Sequence, residues 1–82
     1  MNNIDNYVKD EKELLNLDYE LVCNLIKLRK EKGLSQRKLA ELADIDQPSI
    51  ARIESGKHTP SLKMLVKLLN VMGYKIEFVK EK

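Results

Sequence analysis

Apolar residues recur at helical spacing through most of the chain. In the segment LVCNLIKLRKEKG, Leu21, Leu25 and Leu28 recur every three or four residues, and Gly33 follows where helices commonly end. The pattern predicts a first helix over residues 18–32, with Asp18 as its N-cap. Capping residues and apolar spacing predict three shorter helices downstream, the first capped by Ser35 and the last by Ser61: residues 36–43, 47–54 and 62–72.

The period of the pattern changes after Gly73. Tyr74, Ile76 and Phe78 alternate with Lys75 and Glu77, as in a half-buried strand. A single strand leaves its backbone hydrogen bonds unsatisfied, and the rest of the chain offers no convincing partner strand. We therefore expect this strand to pair with the same strand of a second copy.

The fourth predicted helix is apolar on two sides. One stripe holds large aliphatic residues: Leu62, Leu65, Val66 and Leu69. The second stripe, on nearly the opposite side, consists of Met64, Leu68 and Val71. We assign the first stripe to the core and the second to a dimer interface; the alternative is a central helix buried wholly within one chain. The predicted dimer interface comprises Met64, Leu68, Val71, Tyr74, Ile76 and Phe78.

Length and composition favour one small globular domain: the chain has 82 residues, 43% of them hydrophobic and 34% charged. No apolar run approaches the roughly 20 residues that span a bilayer, and no secretory signal is visible, so we expect a cytoplasmic protein. Residues 1–20 sum to −4 and the remainder to +6. A basic body suits a polyanionic partner, although both surfaces could simply be solvated.

Candidate catalytic and metal-binding residues are scarce. Cys23 is the only cysteine, which excludes an intramolecular disulfide and a multi-cysteine zinc site; its apolar neighbours predict a buried side chain. His58, the only histidine, is expected at the surface. We find no nucleophile paired with a base and no metal-ligating cluster, so we expect neither an enzyme nor a cofactor.

Two short helices separated by three residues have the spacing of a helix-turn-helix. The segment from Leu25 to Gly73 resembles the helix-turn-helix family of phage repressor and Cro type, also called the xenobiotic-response-element family. The resemblance is carried by LRKEKGLSQRKLAELA, SIARIESGK and TPSLKMLVKLLN. It implies an all-α, lambda-repressor-like bundle of four to five helices. To this bundle we add the C-terminal β-strand, which we expect to pair across a dimer. The resemblance also implies a homodimer on palindromic double-stranded DNA, with the helix that begins near Gln47 in the major groove.

The resemblance places DNA contacts on particular residues. The expected base-reading residues are Gln47, Ser49 and Arg52, and the expected phosphate contacts are Gln36, Arg37, Lys38 and Lys57. A glutamine amide can pair with adenine and an arginine guanidinium with guanine, which fits the first set. We also expect Gln36 and Gln47 to hydrogen-bond each other. For any single lysine or arginine, a solvated surface charge is the alternative.

The turn before the recognition helix holds two acids and is followed by a proline. Asp44 stands where related sequences usually have glycine, so we expect a positive φ there. Asp46 is expected to cap the helix by accepting the N–H near Ser49. Pro48 falls in the first turn, where its missing N–H is not needed.

The two ends of the chain resemble those of antitoxins from bacterial type II toxin–antitoxin modules, of the HigA and HipB kind. We divide the chain into an acidic arm, with a short helix as one option, a helix-turn-helix domain and a strand with its tail: residues 1–17, 18–73 and 74–82. The resemblance implies neutralisation of a toxin, with a ribonuclease favoured, and repression of the chain's own operon. Toxin contacts are expected at Ile4, Tyr7, Val8, Glu11 and Leu14. The alternatives are a stand-alone repressor and an interaction adaptor that does not bind DNA.

Overall fold

The computed structural model describes the backbone of residues 11–81 and the side chains of residues 18–81. This part of the chain forms four α-helices and no strand. The helices are α1 (Glu11–Glu31), α2 (Gln36–Ala43), α3 (Gln47–Glu54) and α4 (Leu62–Val71). The all-helical bundle is confirmed for the described residues, and the predicted bounds of the three short helices hold to within one residue.

Side-chain caps explain why the short helices begin where they do. Ser35, Asp46 and Ser61 each accept the backbone N–H of the residue three positions later. These contacts satisfy a donor that has no partner within the helix itself. The three predicted N-caps are therefore confirmed.

The turn between α2 and α3 is built on a left-handed residue. Asp44 has φ 56° and ψ 48°, as predicted for this position. The N–H of Ile45 donates to the carbonyl of Ala40 at 2.9 Å, which closes the end of α2. The chain thereby leaves α2 and begins α3 after only three residues.

The first helix is longer than the sequence pattern predicted. It begins at Glu11, so Asp18 lies inside it and the prediction of an N-cap there is wrong. Residues 11–17 contain neither glycine nor proline, and nothing in them stops a helix. The helix α1 therefore runs across the boundary that we predicted between the arm and the domain.

Cys23 lies on the outer side of α1. It is exposed, so the prediction of a buried thiol is wrong. The buried side of α1 carries Leu25 and Arg29, one turn apart. Cys23 precedes Leu25 by two positions, about 200° around the helix, and so faces solvent.

The core lies among the three short helices and the C-terminal half of α1. The helix α2 packs against α3 and α4, and α1 packs against α3. The buried apolar residues are Leu25, Leu39, Ala40, Ala43, Ile50, Ile53, Leu68 and Met72. Ile50 and Ile53 are each 1% exposed and hold one side of α3 against the bundle. Burial of a side chain of this size contributes about 1.5–3 kcal/mol, so the orientation of α3 is well determined.

Both apolar stripes of α4 contribute to the core, whereas we had assigned only one of them to it. Leu68 is 2% exposed and belongs to the core, and Met64 packs against that core. The prediction that these two residues face a second copy is therefore wrong. Met64, Leu68 and Met72 lie one turn apart on the face that meets the bundle. Of the stripe that we had assigned to the core, Leu65 and Leu69 do pack against it, whereas Leu62 and Val66 are exposed.

The C-terminal segment does not form a strand in the single chain. Residues 74–80 have no regular secondary structure, and the described residues offer no strand with which they could pair. Tyr74 and Ile76 are exposed, and Phe78 is fully so. The pairing of this segment across a dimer stays a prediction. None of the described helices is both long and apolar enough to cross a bilayer.

Candidate nucleic-acid interface

The exposed side of α3 carries the residues predicted to contact bases. Ile50 and Ile53 occupy its buried side, which leaves Gln47 and Arg52 exposed and Ser49 half-buried. Nη2 of Arg52 donates to Oγ of Ser49 at 3.4 Å. The structure therefore places the three side chains on the part of α3 that the core leaves accessible.

The N-terminus of α3 carries a fixed negative charge. Asp46 accepts the Ser49 N–H at 3.1 Å through Oδ2 and the Ser49 hydroxyl at 2.8 Å through Oδ1. The hydrogen bond from this hydroxyl lowers the pKa of Asp46 below its ordinary value. The carboxylate complements the positive end of the helix dipole. It also repels an approaching phosphate, so phosphate contacts are better placed elsewhere.

The amides of Gln36 and Gln47 join the starts of α2 and α3. Nε2 of Gln47 donates to Oε1 of Gln36 at 3.0 Å, which confirms the predicted hydrogen bond. Gln36 is half-buried, whereas Gln47 is exposed. The contact holds the exposed amide in place from its inner side.

Behind Gln36 lies an ion pair that the sequence interpretation missed. Nε of Arg29 lies 2.7 Å from Oε2 of Glu54, and Nη2 of Arg29 donates to Oε1 at 3.0 Å. The two side chains are only 10% and 9% exposed. Nε2 of Gln36 donates to Oε1 of the same carboxylate at 2.9 Å. Arg29, Glu54, Gln36 and Gln47 thus form one hydrogen-bonded series, which we call the polar relay.

A signal for the ion pair was present in the sequence. Arg29 follows Leu25 by four residues, and Glu54 follows Ile50 by four. Each charge therefore lies on the apolar side of its helix, where an unpaired charge would be costly. Two opposite charges at such positions indicate an internal pair rather than two solvated surface groups.

The predicted phosphate contacts surround α3 without belonging to it. Arg37 and Lys38 are exposed on the first turn of α2, and Lys57 is exposed just after α3. Arg37 lines a shallow surface depression together with Asp46 and Gln47. These exposed basic groups precede and follow α3 in the chain and are of the type that contacts a DNA backbone.

The remaining predicted contacts divide between described and undescribed residues. Ile4, Tyr7 and Val8 lie outside the described residues. Glu11 and Leu14 lie in α1, of which only the backbone is described at these positions. Within residues that the structure describes, no group of three potential metal ligands comes together.

A family model described as helix-turn-helix matches residues 25–79, which include α2, α3 and α4. The chain belongs to this helix-turn-helix family.

Two relatives of this helix-turn-helix chain carry the description of transcription regulators. An uncharacterized HTH-type transcriptional regulator of Haemophilus influenzae is 38% identical over 80 residues, covering 95% of this chain and 82% of that protein. The HTH-type transcriptional regulator PuuR of Escherichia coli is 41% identical over 58 residues, covering 70% of this chain. The match spans only 31% of PuuR, so that relative is a much longer protein.

A solved structure is similar over nearly the whole chain. It belongs to a toxin-antitoxin module from Streptococcus pneumoniae and superposes with a TM-score of 0.68 at 33% sequence identity. The match covers 98% of this chain and 90% of that one. The match therefore extends beyond residues 25–79, which the family model covers.

Proposed function

We propose that this chain is a sequence-specific DNA-binding repressor that also serves as an antitoxin, neutralising a cognate toxin and repressing its own operon. The observation that carries the DNA-binding part is the polar relay, which fixes the amide of Gln47 on the exposed side of α3. A preorganised amide and an exposed guanidinium on the same helix suit the edges of bases in a major groove. Membership of the helix-turn-helix family supports the same conclusion.

In the proposed complex α3 lies in the major groove. Gln47, Ser49 and Arg52 face the base edges and supply sequence selectivity. Phosphate contacts come from Gln36, Arg37, Lys38 and Lys57, which set the register of the protein on the duplex. The net charge of +6 carried by residues 21–82 favours association with the polyanion.

A palindromic operator requires two copies of the chain. The surface proposed for the contact between them is exposed and apolar: Leu62, Val66, Val71, Tyr74, Ile76 and Phe78. Pairing of residues 74–78 between two copies would give their backbone groups the partners that one chain lacks. The homodimer is accordingly part of the proposal.

The antitoxin part of the proposal draws on the two ends of the chain. The similar structure from Streptococcus pneumoniae belongs to a toxin-antitoxin module, and the match includes the N-terminal part of this chain. Residues 1–20 carry a net charge of −4, which would attract a basic partner such as a ribonuclease. The proposed toxin contacts are Ile4, Tyr7, Val8, Glu11 and Leu14.

A stand-alone repressor is the second candidate. The Haemophilus influenzae relative supports it, since that protein is described as a transcriptional regulator and matches almost the whole chain. The two candidates share the DNA-binding surface and differ in whether a toxin partner exists.

Co-expression with the protein encoded next to this chain separates the two candidates. An antitoxin restores the growth of cells that the neighbouring protein arrests, and a variant lacking residues 1–10 fails to restore it. This deletion leaves all of α1 in place, so its DNA binding should match that of the full chain. If the neighbouring protein does not arrest growth, the stand-alone repressor is the better description.

A further inference from the structure

We propose that the buried Arg29–Glu54 ion pair determines which base Gln47 selects, because it fixes the direction of every hydrogen bond in the polar relay. This inference rests on the DNA-binding part of the proposed function. Arg29 and Glu54 touch no base in it; they are positioning residues that act through Gln36.

The carboxylate of Glu54 is held in place at the inner end of the polar relay. Both oxygens of Glu54 accept hydrogen bonds from Arg29, at 2.7 and 3.0 Å. Nη1 of Arg29 also donates to the carbonyl of Leu34 at 2.7 Å, which ties the guanidinium to the turn after α1. Because both side chains are about nine-tenths buried, the carboxylate has little freedom to rotate.

The carboxylate of Glu54 fixes which way round the two glutamine amides lie. A carboxylate can only accept hydrogen bonds, whereas a glutamine amide has a donor end and an acceptor end. Gln36 must therefore turn its Nε2 to Glu54, and this places its Oε1 toward Gln47. Gln47 must in turn present Nε2 to that oxygen. Reversing either amide would bring two acceptor oxygens together.

Only part of the hydrogen-bonding capacity of the Gln47 amide is left for a base. One N–H of Gln47 is engaged by Gln36, so the amide offers outward one N–H and the Oε1 acceptor. That pair complements adenine, which presents N7 as acceptor and its N6 amino group as donor. Guanine presents two acceptors, N7 and O6, and would place O6 against Oε1. The relay thus favours adenine over guanine at one base pair of each half-site.

Loss of the hydrogen bond between Gln36 and Gln47 should change which base Gln47 prefers. A Gln47 amide released from Gln36 can turn both Nε2 hydrogens outward and donate to N7 and O6 of guanine. Preference at that single base pair should then fall, while selection by Arg52 at its own base pair should persist. Loss of a purely structural contact would instead weaken all positions alike.

The full chain is first used to select bound duplexes from a randomised library. Dissociation constants are then measured by fluorescence anisotropy for two versions of the selected duplex, with adenine or guanine at the base pair that Gln47 contacts. The variants are Glu54→Gln, whose amide no longer dictates direction, and Gln36→Met, which leaves the ion pair intact. A matched control is Glu31→Gln, which removes one exposed carboxylate outside the relay. Circular dichroism establishes that each variant is folded.

We expect the unmodified chain and Glu31→Gln to prefer adenine by on the order of 10-fold at one position, and Glu54→Gln and Gln36→Met to approach equal affinities there. If Glu54→Gln does not fold, the double variant Arg29→Met with Glu54→Leu, which removes both charges of the ion pair, takes its place. Retention of the adenine preference in either the ion-pair variant or Gln36→Met, with affinity lowered equally for both duplexes, would overturn the inference. Failure of the unmodified chain to select any sequence would instead overturn the proposed DNA binding.

Discussion

The region around α2 and α3 and the region from α4 to the C-terminus differ in how many of their groups find a partner within one chain. We call them the recognition region and the C-terminal region. Around α2 and α3 the polar relay is closed, and no buried side-chain nitrogen or oxygen of residues 18–81 lacks a hydrogen-bond partner. From α4 onward the outward-facing apolar side chains are uncovered, with Leu62 68% exposed and Phe78 fully exposed. The first region is preorganised, whereas the second has a surface that a second copy would cover.

The sequence specifies contacts within one chain in the recognition region, and contacts that need a second chain in the C-terminal region. Caps, turns and the relay involve contacts that one chain makes with itself. A strand at the C-terminus requires a neighbour that the described part of the chain does not supply. Loss of the C-terminal segment should therefore leave the polar relay intact.

The largest effect is expected from Arg29→Met, which leaves the carboxylate of Glu54 buried without its partner. We expect the free energy of unfolding to fall by about 3–5 kcal/mol, as measured by urea denaturation. The double variant Arg29→Met with Glu54→Leu removes both charges and should regain much of that loss. An unfolding free energy for Arg29→Met within error of the parent would show that the ion pair does not anchor α3.

The next effect distinguishes the two faces of α4. Leu68→Ala opens a cavity in the core and should cost about 2–5 kcal/mol of unfolding free energy. Leu62→Ala alters an exposed position and should change it by less than about 0.5 kcal/mol when the chain is studied as a monomer. Equal losses for the two variants would contradict the orientation of α4.

Removal of the C-terminal segment tests the incomplete region itself. A chain ending at Gly73 keeps the buried core and the relay, so its unfolding should stay close to that of the full chain under monomeric conditions. Its mass by light scattering should correspond to a monomer, because the proposed strand pair is gone. If the shortened chain remains a dimer, residues 74–82 do not hold the two copies together.

The smallest effect concerns the cap at Asp46. Because the folded pKa lies below the ordinary value, the cap contributes its full stability above the pKa of an unfolded aspartate, and the contribution is lost as pH falls through the lowered pKa. Asp46→Asn keeps an acceptor oxygen but not the charge, so the acid-dependent part should disappear from its denaturation profile. The same variant should bind random duplex more tightly, since a carboxylate that repels phosphate has been removed. An unchanged acid profile would show that the charge of Asp46 does not contribute.

Much of the recognition region was predictable because its determinants are local. Ser35 and Asp46 cap their helices within three residues, and Asp44 adopts the expected left-handed conformation. The hydrogen bond between Gln36 and Gln47 followed from their positions at two adjacent helix starts.

The errors arose where packing between helices decides the outcome. The side of α4 that faces the core depends on its angle to α2, which two apolar stripes do not specify. Arg29 and Glu54 were overlooked because each is an ordinary surface residue type, and only their common placement on buried helix sides joins them. The first helix began earlier than predicted because a possible cap at Asp18 does not prevent a helix from passing through it.

The central claim, that α3 contacts bases in a sequence-specific way, is tested most directly by Arg52→Ala. Arg52 is exposed and lies outside the polar relay, so the fold should be preserved. Dissociation constants for the selected operator and for a random duplex are measured at one salt concentration by fluorescence anisotropy. We predict a loss of about 10-fold or more for the operator and a much smaller loss for the random duplex. Equal losses on the two duplexes would contradict base recognition by α3.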